Sequence, residues 1–423
     1  MKAFLRVFWL EWLSVVRSGT FVLLSVVSVA WMLVFPLIVK ADGTEEGLRE
    51  MYLRYSLGGV FVLLVVCLLA SATGALARER AAKRLQLTMV RPVRYCSIVL
   101  GKWLAYVVTG ALVLALAVGV VAVNQDLSTT CSHVLTPVLP SPRQEAQEMY
   151  ADYMKDPETP EAVKKASKSV VLRLLTQRAL DHYQTIPTNG LVHWDFSLGK
   201  AVSDEGLRIR MRFTNQFEMR QDVKGLFCLG DLQGPVSNIT QAVLCVPLAR
   251  TNAVRSSLSG PVELTFANGG KAPLMLRPRK DIALLVPADG FAMNLLRAFV
   301  ELVAVLALVI GFGLFLSASL GRPVALFVAI VTLIVGEMSP SVVEQYPDAL
   351  ETDKSDQIGL AITRFVAETT RPVSALSPLE ALSKDECIEN RDLARVVLLD
   401  FLVLPLALAF LAAVVLPRKQ DDL

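Results

Sequence analysis

The sequence is short of the residues that carry chemistry, and short of charge. Of 423 residues, 19% are charged, 7% are aromatic, six are cysteine and three are histidine. A soluble domain carries about 25% charged residues, so an ordinary soluble enzyme is a poor fit. His133, His182 and His193 are scattered and no CxxC pair stands near them, so no metal is expected. There is no GxxxxGK[ST], so the chain has no P-loop for ATP. GxSxG and HExxH are absent too, which removes two large hydrolase classes. The net charge of +3 is too small for a nucleic-acid binder. No small-residue cleavage site follows MKAFLRVFWLEWL, so no cleavable signal is read there.

What the chain does have is apolar residues in blocks: 53% of the total, with a mean hydropathy of +0.50. Six blocks read as membrane spans, at 20–39, 55–77, 103–123, 291–320, 324–338 and 396–416. The fifth is marginal in length for crossing hydrocarbon. Residues 1–19 mix Phe4, Phe8, Trp9 and Trp12 with Lys2, Arg6, Glu11 and Arg17, the composition of an interfacial amphipathic helix. The expected organisation is an α-helical membrane protein of six transmembrane helices. Spans one to three occupy 20–123, spans four and five 291–338, and span six with a short tail 396–423. A large extracytoplasmic α+β domain fills 124–290, and an extracytoplasmic segment with amphipathic helices fills 339–395. Basic residues collect at 78–102 and at Arg418-Lys419, which places those segments and both termini in the cytoplasm. The location read from this is multi-pass, in a cell membrane of the bacterial inner-membrane kind.

Within 124–290 the pattern starts helical and turns to strands. Thr159-Pro160 reads as a helix start, followed by Val163, Ala166, Val170 and Leu174 at helical spacing. Leu207, Ile209, Met211 and Phe213 then alternate with Arg208, Arg210 and Arg212, which predicts a strand. Short strands are expected at 225–229, 242–246, 262–266, 273–276 and 282–286, with Asn268-Gly269 as a hairpin turn, building a β-sandwich-like domain. The arginine stripe is expected to be the solvated side of its strand. Cys131, Cys228, Cys245 and Cys387 fall outside the cytoplasm. Cys228 and Cys245 are the preferred disulfide, being on neighbouring expected strands, with free thiols as the alternative. Cys67 and Cys96 are expected to stay reduced.

Charge inside the spans is sparse. Arg297 and Glu301, four apart, are expected to pair on one helix face. Asp400 and Glu337 lie near span ends, where snorkelling or a helix–helix hydrogen bond is the preferred explanation.

The segment 78–102 carries seven Lys or Arg residues against one acid. It reads Glu79 and Arg80, then Leu85, Leu87, Arg91-Pro92-Val93, Ile98, Leu100 and Gly101-Lys102. In that order it resembles the cytoplasmic coupling segment of type-2 ABC transporter permeases. It departs from that pattern at Ala81 and at Lys83-Arg84. The resemblance implies a membrane-spanning permease subunit that exports a substrate and is not itself an enzyme. It implies contact with a separate ABC ATPase through Glu79, Arg80, Leu85, Leu87, Arg91, Pro92, Val93, Gly101 and Lys102. ATP and Mg would be bound by that partner, with no cofactor in this chain. A second permease copy, as homodimer or related heterodimer, and the lipid bilayer complete the expected partners. The alternative from the residues alone is an envelope scaffold or sensor whose extracytoplasmic domain binds a ligand or partner.

Overall fold

The computed structural model describes residues 2–38, 50–81, 94–125, 129–156, 167–180, 183–203, 206–212, 225–230, 232–234, 243–250, 257–270, 273–345 and 377–418. The chain divides into two compact units.

In chain order the described elements begin with helices α1 (Lys2–Val16), α2 (Gly19–Ile38), α3 (Met51–Ala81) and α4 (Tyr95–Asn124). Then come β1 (Thr130–Leu135), α5 (Pro142–Lys155), α6 (Lys168–Leu180), β2 (Gln184–Ile186), β3 (Leu191–Ser203), β4 (Arg208–Arg212), β5 (Gly225–Leu229) and β6 (Leu232–Gly234). β7 (Val243–Pro247), β8 (Ala249–Arg250), β9 (Ser257–Asn268), β10 (Leu274–Leu276), the single turn α7 (Pro278–Asp281) and β11 (Ile282–Gly290) follow. The last helices are α8 (Phe291–Ser319), α9 (Arg322–Gln345), α10 (Ser377–Ser383) and α11 (Asn390–Pro417).

The first unit holds the described parts of Met1–Cys131, Asp289–Val343 and Thr363–Leu423. Among the described residues, α3, α4, α8 and α11 are each long and apolar enough to cross a bilayer, which makes the chain a membrane protein. Helices α1 and α2 pass that test only as a pair, and a 59° bend separates them. The bend follows Arg17-Ser18, where the Ser18 hydroxyl donates to Val15 O and accepts from Phe21 N–H, ending one helix and starting the next. The apolar part of α9, Arg322–Val335, is shorter still. At 1.5 Å per residue it reaches about 20 Å, against about 30 Å of hydrocarbon.

Helix α8 is the axis of this unit, with Ala304 to Ile310 buried throughout. Small residues set its close contacts, as in other helix pairs without water between them. A Cβ on Gly313 would sit 3.0 Å from Ala72 on α3, and one on Gly311 would sit 3.3 Å from the Pro405 backbone on α11. Trp103 of α4 donates from Nε1 to Ala307 O at 2.8 Å and packs on Phe401 of α11, which ties three helices at one level. The expected third span, α4, starts earlier than expected, at Tyr95, so Gly101-Lys102 lies inside it and does not open it.

The second unit holds the described parts of Ser132–Ala288 and Glu344–Ile362. Among the described residues its strands form sheets ordered β1-β11-β4-β7, β3-β9-β5-β6-β8 and β10-β2. The expected α+β character is present, and the alternation at 207–212 behaves as read. Leu207, Ile209 and Met211 are fully buried, while Arg208 and Arg210 are half-buried and Arg212 is exposed. Phe196, Phe227 and Phe266 are fully buried in the core, each worth about 2–3 kcal/mol.

Three expectations for this unit are corrected. Asn268-Gly269 does not join β9 to β10 as a hairpin, because β9 pairs with β3 and β5 while β10 pairs with β2. Asn268 instead uses its side chain to close the turn at 187–190, donating to Pro187 O at 3.2 Å, while its backbone pairs with Asn189 and Gly190. The helical stripe is rotated: Val170 and Leu174 are exposed, and Val171, Leu175 and Ala179 are buried, with Ala146 of α5 in the same cluster as the first two. Thr159-Pro160 and Val163 lie outside the described residues.

The third correction concerns the disulfide, which joins Cys131 to Cys387 within the first unit. Cys228 carries a free thiol. It sits on β5, and Cys245 on β7 belongs to another sheet, so the Cys228–Cys245 bridge is not formed. Cys67 and Cys96 are free.

Candidate functional site

The two described ends of the basic segment are Arg78 to Ala81, closing α3, and Arg94 onward, leading into α4. Leu85, Leu87, Arg91, Pro92 and Val93, with Lys83-Arg84, lie outside the described residues. The structure therefore speaks to how the segment is rooted.

Lys102 is the centre of the root. Its Nζ donates to Glu79 Oε1 at 2.7 Å and to Glu11 Oε2 at 2.8 Å. The Tyr106 hydroxyl donates to the other Glu11 oxygen at 3.3 Å. The lysine side chain is 4% exposed, against 20% for Glu11 and 33% for Glu79. A buried ammonium is costly without counter-charges, and here two carboxylates from two other helices supply them. The result is a clamp joining α1, α3 and α4.

Local sequence explains why these groups meet. Gly101 has no side chain, and a Cβ there would fall 2.8 Å from Val7 Cγ1 and 3.2 Å from the Phe8 backbone nitrogen. Helix α1 can therefore lie directly on α4, which brings Glu11 to Lys102 one residue further on. Phe8, Trp9 and Trp12 stack along α1, with Leu5, Trp9 and Leu10 exposed.

The end of α3 is fixed on its other side to α8. Arg80 donates from Nη1 to Ala318 O at 2.7 Å and from Nη2 to Leu320 O at 3.0 Å. These are carbonyls at the C-terminus of α8, where a cation suits the helix dipole. The Ser317 hydroxyl accepts from the N–H groups of Leu76 and Ala77 at 3.1 and 3.0 Å.

Of the site residues expected from sequence, Glu79, Arg80, Gly101 and Lys102 are thus brought to one place. Glu11, Tyr106 and Ser317 were not expected there. A carboxylate alone in the apolar face of residues 1–19 was the available signal for Glu11. Nothing in spacing reveals its partner 91 residues away. The Arg297–Glu301 pair is not formed. Arg297 turns back to Asp289, at 2.6 Å, at the half-exposed end of the preceding strand. The Arg297 side chain is itself 12% exposed and pairs with a half-exposed carboxylate, and Glu301, three turns into α8, is left without it.

Among the described residues no group of His, Cys, Asp and Glu could hold a metal ion. No protein family model, curated protein or solved structure matches the chain.

Proposed function

We propose that this chain is the membrane-spanning permease subunit of an ABC transporter, driven by a separate ATPase that contacts segment 78–102. In this reading the ATPase binds ATP and Mg, and two permease copies, identical or related, form the substrate path. Six spans, with α1 interfacial and α9 as a short fifth, put both termini in the cytoplasm. Export is the direction that goes with the resemblance of the segment.

The observation that carries the reading is the clamp. A segment that transmits force must be joined stiffly to the spans it moves. Both ends of this one are fixed, by Lys102 to Glu79 and Glu11, and by Arg80 and Ser317 to α8. Displacing the segment would carry α1, α3, α4 and α8 with it. Its basic residues suit an acidic groove on the partner. The Cys131–Cys387 disulfide supports the orientation, since disulfides persist on the oxidising side of a membrane. Helix α4, about 45 Å long, separates that end from the segment.

Copurification from the native membrane tests the proposal. An ABC ATPase is expected to accompany the wild-type chain and to be lost with Leu87→Asp plus Arg91→Glu. A chain that purifies without an ATPase, and changes no ATPase's turnover, would favour the scaffold or sensor reading.

A further inference from the structure

We propose that Arg78 and Arg322 form a binding site for the phosphate of an anionic phospholipid, at the end of the membrane-spanning unit where α3 closes and α9 opens. The inference does not need the transporter reading, because the ligand is a lipid and the purified chain suffices to read it.

The site begins with a missing side chain. Gly74 is buried on α3, and a Cβ there would sit 3.2 Å from Arg78 Nε, 3.2 Å from Arg322 Nε and 3.5 Å from Arg322 Cδ. Two guanidinium groups from different helices therefore converge over one bare stretch of backbone. Arg78 lies one turn on from Gly74 and folds back on it, its Nε donating to Gly74 O at 3.0 Å. Arg322 is brought in by the lock between α3 and α8. Arg80 holds Ala318 O and Leu320 O, and Ser317 accepts from the N–H groups of Leu76 and Ala77. The turn that leads into Arg322 is thereby set against α3.

An arginine at the end of a span ordinarily reaches outward to water. These two approach one another instead, and like charges at that range repel. Among the described residues neither meets a carboxylate. The acids at this end of α3 are Glu11 and Glu79, and both are taken by Lys102. Arg78, Arg80, Lys102 and Arg322 thus stand against two carboxylates. An anion held between the two guanidinium groups removes their repulsion. Phosphate suits the place, since its oxygens can accept from both forks at once. The start of α9, a helix of 24 residues, adds the partial positive charge of its N-terminus.

The surroundings select a lipid over free phosphate. Residues 55–77 ahead of Arg78, and 302–321 ahead of Arg322, hold no charge, so each arginine is the first charge beyond an apolar run. That is the level at which phospholipid headgroups lie. Both arginines are exposed. Beyond Arg322, α9 exposes Val324, Phe327, Val331 and Ile334 at helical spacing. An acyl chain can follow that stripe from a headgroup seated at Arg322, whereas inorganic phosphate gains nothing from it.

The test is native mass spectrometry of the full chain, purified in a nonionic detergent, with added phosphatidylglycerol, phosphatidylcholine or inorganic phosphate. The wild type is expected to retain phosphatidylglycerol in preference to phosphatidylcholine, and excess inorganic phosphate is expected not to displace it. Arg78→Gln with Arg322→Gln should lower that retention by about tenfold, through the loss of two charge-assisted contacts. Lys155→Gln with Arg212→Gln removes two exposed cations of the other unit and should leave it unchanged. Gly74→Val fills the space between the arginines and should lose the lipid with every charge intact. Thermal unfolding gives a second readout. Phosphatidylglycerol should raise the melting temperature of the wild type and not that of the arginine double variant. Without lipid, Arg322→Gln should melt no lower than the wild type, because it relieves a repulsion. Equal retention of phosphatidylglycerol by the wild type and the arginine double variant, equal retention of phosphatidylcholine, displacement by inorganic phosphate, or an Arg322→Gln chain less stable than the wild type without lipid would each overturn the proposal.

Discussion

Glu79 near the end of α3 and Lys102 two turns into α4 meet at 2.7 Å, closing the two ends of a basic segment on one another. The lysine is buried and also held by Glu11, so the pair belongs to a network. Removing the cation is more damaging than removing either acid. Lys102→Met leaves two carboxylates facing each other and is expected to destabilise by about 1.5–3 kcal/mol, the usual range for lost hydrogen bonds to charge. Thermal unfolding in detergent measures it. Adding Glu11→Gln and Glu79→Gln to Lys102→Met should restore part of the loss, because the like charges are then gone.

Gly101 and Gly110 offer a contrast on one helix. A Cβ at Gly110 would meet only flexible side-chain tips, Leu68 Cδ1 at 2.7 Å and Leu306 Cδ1 at 3.4 Å. At Gly101 it would meet the α1 backbone as well as Val7. Gly101→Val is therefore expected to lift α1 from α4 and expose it to protease near Lys2 and Arg6, while Gly110→Ala leaves α1 protected. Limited proteolysis with fragment masses checks both.

The Ser317 hydroxyl accepts two backbone N–H groups of α3. Ser317→Ala removes an acceptor that these helical N–H groups share with their own helix and should cost about 0.5–1.5 kcal/mol. Hydrogen exchange at Leu76 and Ala77 should speed up in that variant and stay unchanged in Ser319→Ala, whose hydroxyl donates within its own helix to Phe315 O.

Much of this was legible in the sequence, for reasons that differ by element. The spans α3, α4, α8 and α11 follow from length and hydropathy, which need no tertiary information. Glu79 and Lys102 were marked by their place in the segment. Glu11 was not marked as their partner, nor Cys387 as that of Cys131, because contacts 91 and 256 residues apart obey no local spacing rule. Arg297 obeyed the i, i+4 rule on paper and broke it in the fold, where Asp289 offered a partner nearer water. Strand β3 carried a usable signal that was missed. Trp194, Phe196 and Leu198 are buried and alternate with exposed His193, Asp195 and Ser197. Gly260, at φ +83° in β9, sits opposite Leu198 where the register of that pairing shifts, a backbone feature that no apolar pattern announces.

The loop-side helix α10 carries a small pH dependence. Lys384 donates to Glu380 at 2.6 Å and, with Arg54 adding to it, holds that carboxyl below its usual range against a smaller effect of burial. A lowered carboxylate contributes stability above the ordinary value of about 4.3, and loses it as pH falls through the lowered one. Both partners are over two-fifths exposed, so the effect is about 0.3–0.5 kcal/mol. Glu380→Gln should flatten the acid limb of amide exchange at Lys384 and Asp385, and leave exchange at neutral pH faster than in the wild type.

The disulfide makes a further expectation. Cys131→Ser with Cys387→Ser should lower stability by about 2–5 kcal/mol. Non-reducing peptide maps of the wild type should contain the Cys131–Cys387 linked pair and no peptide linked through Cys228.

The proposed grip of an ATPase on segment 78–102 is open to direct test. A photo-crosslinking amino acid at position 87, activated in native membranes, tests it most directly. One dominant protein adduct carrying a P-loop ATPase sequence is expected, its yield changing with ATP and lost with Arg91→Glu. Adducts to lipid alone, or to proteins without an ATPase motif, would contradict it.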